Sequence, residues 1–561
     1  MPRRIVIVGG VACGLKAASR ARRLDPEAAI TVIEQGRSVS WAACGMPYVV
    51  AGRIKRAADL VQRSPAYFEK VKGIRVLTGC RATAIDRERR LVRCQPVDGG
   101  GAEQELPYDA LVLATGASAA WLPVPGAELT GVFRLKELAD AEMIGAALQG
   151  ARRAAIVGAG PLGIEMAEAF RARGLAVTLL EAKEHVLPGL LDFEMARLLE
   201  RHLAAQGVEL RCGARLERFE GEGRLERVVL EGGEALNADL ALVSVGVRPN
   251  VELARQAGLQ LGPTGAIAVD ERLRTSDPVI FAGGDCAESR HLLTGRPVYL
   301  PLGTTANKHG RIIGSNLCGG SETMPGLLGT ALLKVFDYTV GRSGLTGEAA
   351  RREGLEVVEA TVPAPDRAHY YGGARNFALK LVAEREGGRL VGVQLVGPGE
   401  VARRLDTAVA AMSLGATARE LAHMDLGYSP PYAQAMDALI TAANVIGNRL
   451  SGLIPAVSPG QVRAELDSAE PPLLVDVRSK AEWEKARLTG AEVVQAPFLQ
   501  LRKLMGRLPR GRRLVTFCWG GQRAYEAALM LRRAGFEGVR YLDGSLFTWP
   551  YGLEEEGADW R

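Results

Sequence analysis

Two cysteines, Cys44 and Cys518, sit in surroundings that turn a thiol into a reagent. Cys44 lies in SWAACGMPY, shortly after an N-terminal stretch that reads as strand, Gly-rich turn, helix and strand. Cys518 opens CWGGQRAY, a tight Gly-containing loop between a strand pattern and a helix pattern. Two sulfur centres in one chain point to chemistry on S–S bonds rather than to generic redox. The other cysteines (Cys13, Cys80, Cys94, Cys212, Cys286 and Cys318) show no short metal-ligand spacing, and the histidines are dispersed. They read as reduced structural thiols, and no metal site is expected.

Electrons for S–S chemistry need a carrier, and two Gly-rich motifs supply sites for one. In the second, Gly158-x-Gly160-x-x-Gly163 follows the apolar strand RRAAIV and opens a helix, and Glu181 ends the next strand. Such glycines let the backbone meet a pyrophosphate at a helix N-terminus, and the acidic residue accepts from a ribose 2′-OH. A carboxylate repels a 2′-phosphate, so NADH is favoured, with NADPH as the alternative because Lys183 stands nearby. The first motif, Gly9-Gly10-Val11-Ala12-Cys13-Gly14, has Val11 where the second glycine is usual, yet Glu34 ends the following strand as ribose recognition requires. Gly284-Asp285, closing the strand VIFAGG, places a further carboxylate for a flavin ribityl hydroxyl. Together these read as an FAD site and an NADH site.

The elements that must position these groups follow from the pattern. Residues 1–36 and 151–182 are two copies of one strand–turn–helix–strand unit. Segments 110–126 and 239–250 are buried strands leaving through Gly/Pro-rich turns, and 279–288 is expected to return to the first domain. Residues 326–447 alternate strand patterns and end in amphipathic helices, SGLIPAVSPG (451–460) reads as a linker, and a last α/β module follows. A chain of 561 residues is too long for one core. No apolar run reaches the roughly 20 residues of a membrane span, and no signal-peptide pattern opens the chain, so a cytoplasmic protein is expected. The net charge of +6 is scattered, which excludes a nucleic-acid footprint.

The order GGVACG, SWAACGMPY, ATG, GAGPLGIE, VGVRPN and AGGDCAE resembles the pyridine nucleotide–disulfide oxidoreductases, and SWAACGMPY resembles their single-cysteine branch of coenzyme A-disulfide reductases, NADH peroxidases and NADH oxidases. The resemblance implies that Gly9, Gly10, Ala12, Gly14, Glu34, Thr115, Gly116, Gly284 and Asp285 hold FAD. It assigns Gly158, Gly160, Gly163, Glu181 and Gly246 to NAD(P)H. Cys44 would then cycle through a mixed disulfide or a sulfenic acid. Ala12 stands where the peroxidases and oxidases carry a histidine, which favours an S–S substrate. By the same similarity Lys16, Arg20, Arg23, Ser40, Lys72 and Asn307 fall at coenzyme A-contact positions. GTALLKVFDYTVGRSGLT, HYYGG and DLGYSPPYAQAMD resemble the family's dimerisation domain, implying a homodimer in which Tyr371 and Tyr428 reach the flavin and sulfur site of a second subunit.

LLVDVRSKAEW, TGAEVVQAPF and CWGGQRA resemble a rhodanese, implying that Cys518 carries sulfane sulfur in an amide cradle with Arg523 facing anionic donors. The expected fold is therefore α/β: two Rossmann-like dinucleotide-binding domains, an α+β dimerisation domain and a C-terminal rhodanese α/β domain. The boundaries are FAD at 1–150 and 247–325, NAD(P)H at 151–246, dimerisation at 326–450, linker at 451–460 and rhodanese at 461–561. The arrangement resembles coenzyme A-disulfide reductase/rhodanese fusions, NAD(P)H-dependent flavoenzymes that reduce coenzyme A disulfide, coenzyme A persulfide or polysulfide. Coenzyme A is expected as substrate or bound thiol, with no nucleic acid or membrane partner. The alternatives are an NADH oxidase or peroxidase using a Cys44 sulfenic acid, and a slow sulfur-trafficking or redox-sensing protein.

Overall fold

The computed structural model describes residues 2–399 and 401–555; the end of the expected last domain, at 561, lies outside them. The chain divides into two compact units, residues 1–182 with 214–327 and residues 183–213 with 328–561.

In the first unit the strand Arg4–Val8 lies inside a five-stranded sheet of order Ile280–Ala282, Ala110–Leu113, Arg4–Val8, Ala29–Glu34, Arg75–Thr78. All its pairings are parallel. Ile5 and Ile7 point into one core, with Ala17, Ala18 and Ala21 of the helix Cys13–Leu24, and Val6 and Val8 into another. That two-sided burial explains the unbroken apolar run, as parallel strands covered on both faces require. The segment 279–288 does return to this sheet, through Ile280–Ala282 beside Ala110–Leu113.

The helix Cys13–Leu24 can press onto its strand only because of glycine. Gly9 has φ +109°, and a Cβ there would lie 2.0 Å from the Ala114 carbonyl oxygen. One on Gly14 would lie 1.9 Å from the Gly9 oxygen. The second copy repeats this: Gly158 has φ +104° against Ser244 O, and a Cβ on Gly163 would lie 2.0 Å from Gly158 O. Its strand Arg153–Val157 pairs in parallel with Ala176–Glu181 and Leu240–Val243, and Val132–Phe133 flanks the latter.

The second unit contains an antiparallel five-stranded sheet of order Ala331–Val335, Tyr338–Gly344, Leu390–Pro398, Asn376–Glu384, Val357–Pro365. Every residue of Leu390–Pro398 is buried. Lys380, on the neighbouring strand, is 3% exposed, and its ammonium meets Asp192 at 2.8 Å, Glu194 at 2.5 Å and Glu359 at 2.5 Å. Burial alone would lower the lysine pKa, but Glu194 and Asp192 outweigh it and raise it. A second sheet, of order Ala456–Val457, Val539–Leu542, Leu514–Phe517, Leu473–Asp476, Val493–Gln495, is parallel throughout. The expected linker 451–460 is thus structured in its second half. Ala456–Val457 is an edge strand of this sheet, because Val457 buries its side chain beside Leu542 and Trp549.

Among the described residues no helix is long and apolar enough to cross a membrane. Replacing Lys380 by Met would leave three carboxylates around an apolar side chain. We expect a loss of about 3–5 kcal/mol, read as a lower chemical-denaturation midpoint for Lys380→Met. An unchanged midpoint would show that the carboxylates do not depend on the ammonium.

Candidate functional sites

A cavity of about 1430 Å³ opens at the C-terminal edge of the first parallel sheet. Ligands of α/β sheets bind at that edge, and the volume exceeds the roughly 300–1,000 Å³ of ordinary small-molecule pockets. Gly9, Gly10, Ala12, Glu34, Cys44, Thr115, Gly116, Gly284, Asp285 and Asn307 all line it. Glu34 ends its strand with one carboxylate oxygen accepting from Gly10 N (2.7 Å) and the other from Gly36 N (2.7 Å). Burial raises its pKa against those bonds. The second motif copies the device, with Ala159 N donating to Glu181 at 2.9 Å. Around Gly160 a Cβ would meet nothing within 4 Å, so open space lies at the start of the helix Pro161–Ala172.

Two motifs distant in sequence clasp each other at the cavity wall. Thr115 Oγ1 donates to Asn250 O at 2.7 Å, and Asn250 Nδ2 donates to Thr115 O at 2.9 Å. Strands Ala117–Ala119 and Val247–Pro249 pair beside them, and Gly246 (φ +105°) accepts from Ala120 N. The VGVRPN turn is therefore locked onto ATG. At Asp285 the structure adds two groups that sequence reasoning did not find. Lys136 brings its ammonium 3.5 Å from the carboxylate. The buried His309 accepts from Gly284 N at 3.2 Å through Nδ1, and burial lowers its pKa to about 4, so the imidazole is neutral. Neither residue lies in a motif, so no local signal marked them.

Cys44 sits in the tight turn Ala43–Gly45 that enters the short helix Met46–Val50. A Cβ on Gly45 would lie 2.2 Å from Leu60 Cδ2, which accounts for glycine after the cysteine. Ala42 N donates to Leu60 O at 3.0 Å and pins the turn. The thiol is exposed at the cavity wall. The protein's own groups do not favour the thiolate here. Burial raises the thiol pKa and Glu165 raises it further, while Lys136 opposes them weakly. Glu165 itself is pushed up to about 7 by burial and by Glu168. It stands in the GAGPLGIE motif, but nothing in that motif showed it facing the thiol.

The residues at coenzyme A-contact positions are placed unequally. Lys16 is exposed, and its backbone lies against the helix Gly303–Asn316, where a Cβ on Gly310 would meet Lys16 Cβ at 2.7 Å. Asn307, on that helix, lines the cavity. Arg20 is engaged by Ser315 (2.9 Å) and Glu322 (3.6 Å), Arg23 is exposed, and Lys72 stands 5.9 Å from the Tyr67 ring centroid. Ser40 adopts φ +50° with its N–H on Gly10 O. In the second unit Tyr371 and Tyr428 are 54% and 47% exposed. The phenol bonded to Tyr428 is Tyr370, at 2.7 Å, and this bond raises the Tyr428 pKa.

Cys518 follows the strand Leu514–Phe517 and precedes the helix Gln522–Arg533. It is 2% exposed. Gly521, at φ +99°, donates its N–H to Sγ at 3.1 Å. This loop amide reaches the sulfur. The buried Ser545 hydroxyl lies 3.8 Å from Sγ and accepts from Cys518 N at 3.2 Å. Arg523 donates two bonds to Glu482, at 2.8 and 2.6 Å. That pairing, with burial opposing it, takes the Glu482 carboxyl down to about 2. Arg523 is thus held in place and half-neutralised beside the sulfur. Glu482 escaped sequence reasoning, although Ser479-x-x-Glu482 is a capping box and marks it as fixed.

Comparison with known proteins agrees with this anatomy. Residues 3–310 match the pyridine nucleotide-disulphide oxidoreductase model, residues 330–440 its dimerisation domain, and residues 458–550 a rhodanese-like domain. The NAD(P)H coenzyme A polysulfide/persulfide reductase of Pyrococcus horikoshii is 40% identical over 448 residues, 80% of this chain and 99% of that protein. The solved NAD-dependent persulfide reductase of A. fulgidus has TM-score 0.92 and 42% identity, covering 97% of this chain and 100% of that one. Reduced CoADR-RHD of Bacillus anthracis has TM-score 0.93 and 31% identity, covering 98% of each chain. With its paired Gly-rich turns, a cysteine at the cavity wall and family likeness over more than half its length, the chain belongs to the pyridine nucleotide-disulphide oxidoreductase family.

Proposed function

We propose that the chain is an FAD-dependent NAD(P)H oxidoreductase that cleaves the S–S bond of coenzyme A disulfide, coenzyme A persulfide or polysulfide at Cys44. Cys518 handles sulfane sulfur. The observation that carries this reading is the opening of the Cys44 thiol into the same cavity as Glu34 and Asp285. The cavity fits FAD: the Gly9–Gly10 turn lines it without a side chain, Glu34 stands where a ribose hydroxyl can donate, and Asp285, paired with Lys136, lines the same cavity as Cys44. FAD, when bound, supplies the two electrons that NAD(P)H gives up and that return a Cys44 mixed disulfide to the thiol.

The chain's own work is nucleophilic. The Cys44 thiolate attacks one sulfur of the substrate, a new S–S bond forms, and the other half leaves as a thiol or sulfide. Glu165, near neutrality in pKa, can hold the proton the thiol gives up. Ala12 brings only a methyl group to the cavity, which supports S–S over O–O substrates. Lys16, Arg20, Arg23, Ser40, Lys72 and Asn307 are proposed to meet coenzyme A as a group, with Lys16 and Asn307 best placed. The exposed Tyr370, Tyr371, Tyr428, Tyr432 and Met436 suit burial against a second copy, so we assign a homodimer in the cytoplasm. At Cys518 the thiolate attacks a sulfane sulfur, the donor's S–S bond breaks, and the donor leaves as its anion.

Three outcomes test the reading. NAD(P)H consumption with coenzyme A disulfide, coenzyme A persulfide and polysulfide should vanish in Cys44→Ser, whereas Cys518→Ser should lose sulfur transfer from sulfane donors. Full disulfide reduction by Cys44→Ser would overturn the mechanism. Glu181→Ala removes the charge facing a 2′-phosphate, so the NADH-over-NADPH ratio of kcat/KM should fall by roughly tenfold. An unchanged ratio would place discrimination elsewhere. Ionised Glu165 disfavours the neighbouring thiolate. In Glu165→Gln the pH midpoint of Cys44 alkylation by iodoacetamide should therefore move down. A midpoint that stays or rises would remove Glu165 from the site.

A further inference from the structure

The rhodanese-like domain is fastened to the antiparallel domain at one point that leads straight to its cysteine. Arg449, near the end of the helix Ala438–Leu450, has a side chain only 10% exposed. It donates to Asp543 Oδ1 at 2.6 Å, to the Tyr541 hydroxyl at 2.7 and 2.9 Å, and to the Glu359 carbonyl oxygen. Thr361 N, on the strand Val357–Pro365, donates to the same Asp543 oxygen at 3.1 Å. Asp543 N in turn bonds Val457 O at 2.9 Å. The carboxylate is 7% exposed, so the antiparallel domain supplies its counter-charge.

The two residues after Asp543 are both left-handed, Gly544 at φ +64° and Ser545 at φ +52°. Gly544 must be glycine here, since a Cβ would lie 2.0 Å from Thr548 Oγ1 and 3.1 Å from Thr361 Cγ2. Ser545 gains no such licence. It is a side-chain-bearing residue, fully buried, in a conformation that persists only when its surroundings over-determine it. Those surroundings are the Asp543 anchor before it and Cys518 after it. Ser545 Oγ accepts from Cys518 N at 3.2 Å, and Leu546 N donates to Cys518 O at 3.2 Å. With Cys518 N occupying an acceptor site of Oγ, the hydroxyl proton is free to point at Sγ, 3.8 Å away.

We propose that Arg449, outside the rhodanese-like domain, is a positioning residue for Cys518. Its grip on Asp543 holds the strained 544–545 turn, so that the Ser545 hydroxyl supports the sulfur when it is anionic, as thiolate or persulfide. The inference rests on Cys518 being the sulfane carrier. It makes that site depend on docking: a rhodanese-like domain released from Arg449 keeps its fold and loses its best sulfur geometry.

The test uses the full-length holoenzyme in a Cys44→Ser background with thiosulfate as the donor. The Cys518 thiolate attacks the sulfane sulfur, the S–S bond breaks, and sulfite leaves with the electron pair. Intact mass reports the added sulfur atom, and transfer to cyanide gives turnover. We expect Arg449→Met to lower kcat about tenfold with little change in KM and to shorten the Cys518 persulfide lifetime by a similar factor. Arg449→Lys should restore much of the loss, and Asp543→Asn should reproduce it. Ser545→Ala should match Arg449→Met, and the double variant should be no worse than either, because both act through one hydroxyl. Additive losses, or an unchanged persulfide lifetime in Arg449→Met, would overturn the proposal. If Arg449→Met does not fold, Asp543→Asn against Ser545→Ala carries the same comparison. A parent protein that never gains sulfur at Cys518 would instead overturn the carrier reading itself.

Discussion

The contact on which the rest of the first unit depends is the one between Gly14 and the Gly9 carbonyl. With no room for a Cβ at either place, the helix Cys13–Leu24 begins hard against the end of its strand. The turn then runs over the sheet edge, with the Gly9 amide on Ile33 O. The Gly10 amide finds Glu34 and leaves the cavity beyond it open. Substituting a larger residue would push the helix off the sheet and close the floor of the cavity that Cys44 faces. The same contact recurs at Gly158 and Gly163. Two Gly-rich turns thus rest on one steric device, used twice.

The two sulfur centres are built on opposite plans. Cys44 lies in a short turn, open to the cavity, and partial burial together with Glu165 raises its pKa against the pull of Lys136. Cys518 is buried among an amide, a hydroxyl and a guanidinium already tied to a carboxylate. A site that holds and passes on an anionic sulfur benefits from such fixed donors, whereas one that cycles through mixed disulfides needs access. The difference in burial fits the different tasks proposed for the two cysteines.

Much of the site is legible in the amino-acid sequence because its parts are local. A Gly-x-Gly turn, a strand-terminal acid and a cysteine flanked by Gly and Pro each declare themselves within about ten residues. The groups that sequence does not reveal share a cause as well. Lys136 reaches Asp285 and His309 accepts from Gly284 N across separations that no motif spans, and Tyr370, not Tyr371, meets Tyr428. Two adjacent tyrosines are equivalent in a sequence; the turn at 369–371 decides which phenol faces the other segment. Val457 reads as part of a linker because one buried valine in a Pro/Gly-rich stretch carries no period.

The amino-acid sequence by itself determined which elements form and which chemistry they carry. Backbone freedom at glycine, apolar runs buried on both faces and thiol nucleophilicity are properties of short segments. Only the tertiary structure decided the electrical surroundings of the two cysteines and the attachment of the last domain. Lys136 on Asp285, Glu482 on Arg523 and Arg449 on Asp543 are pairings made by chain return. Each depends on distances of a few ångströms between residues tens to hundreds of positions apart, and Coulomb and hydrogen-bond energies fall off too steeply for sequence proximity to stand in for them.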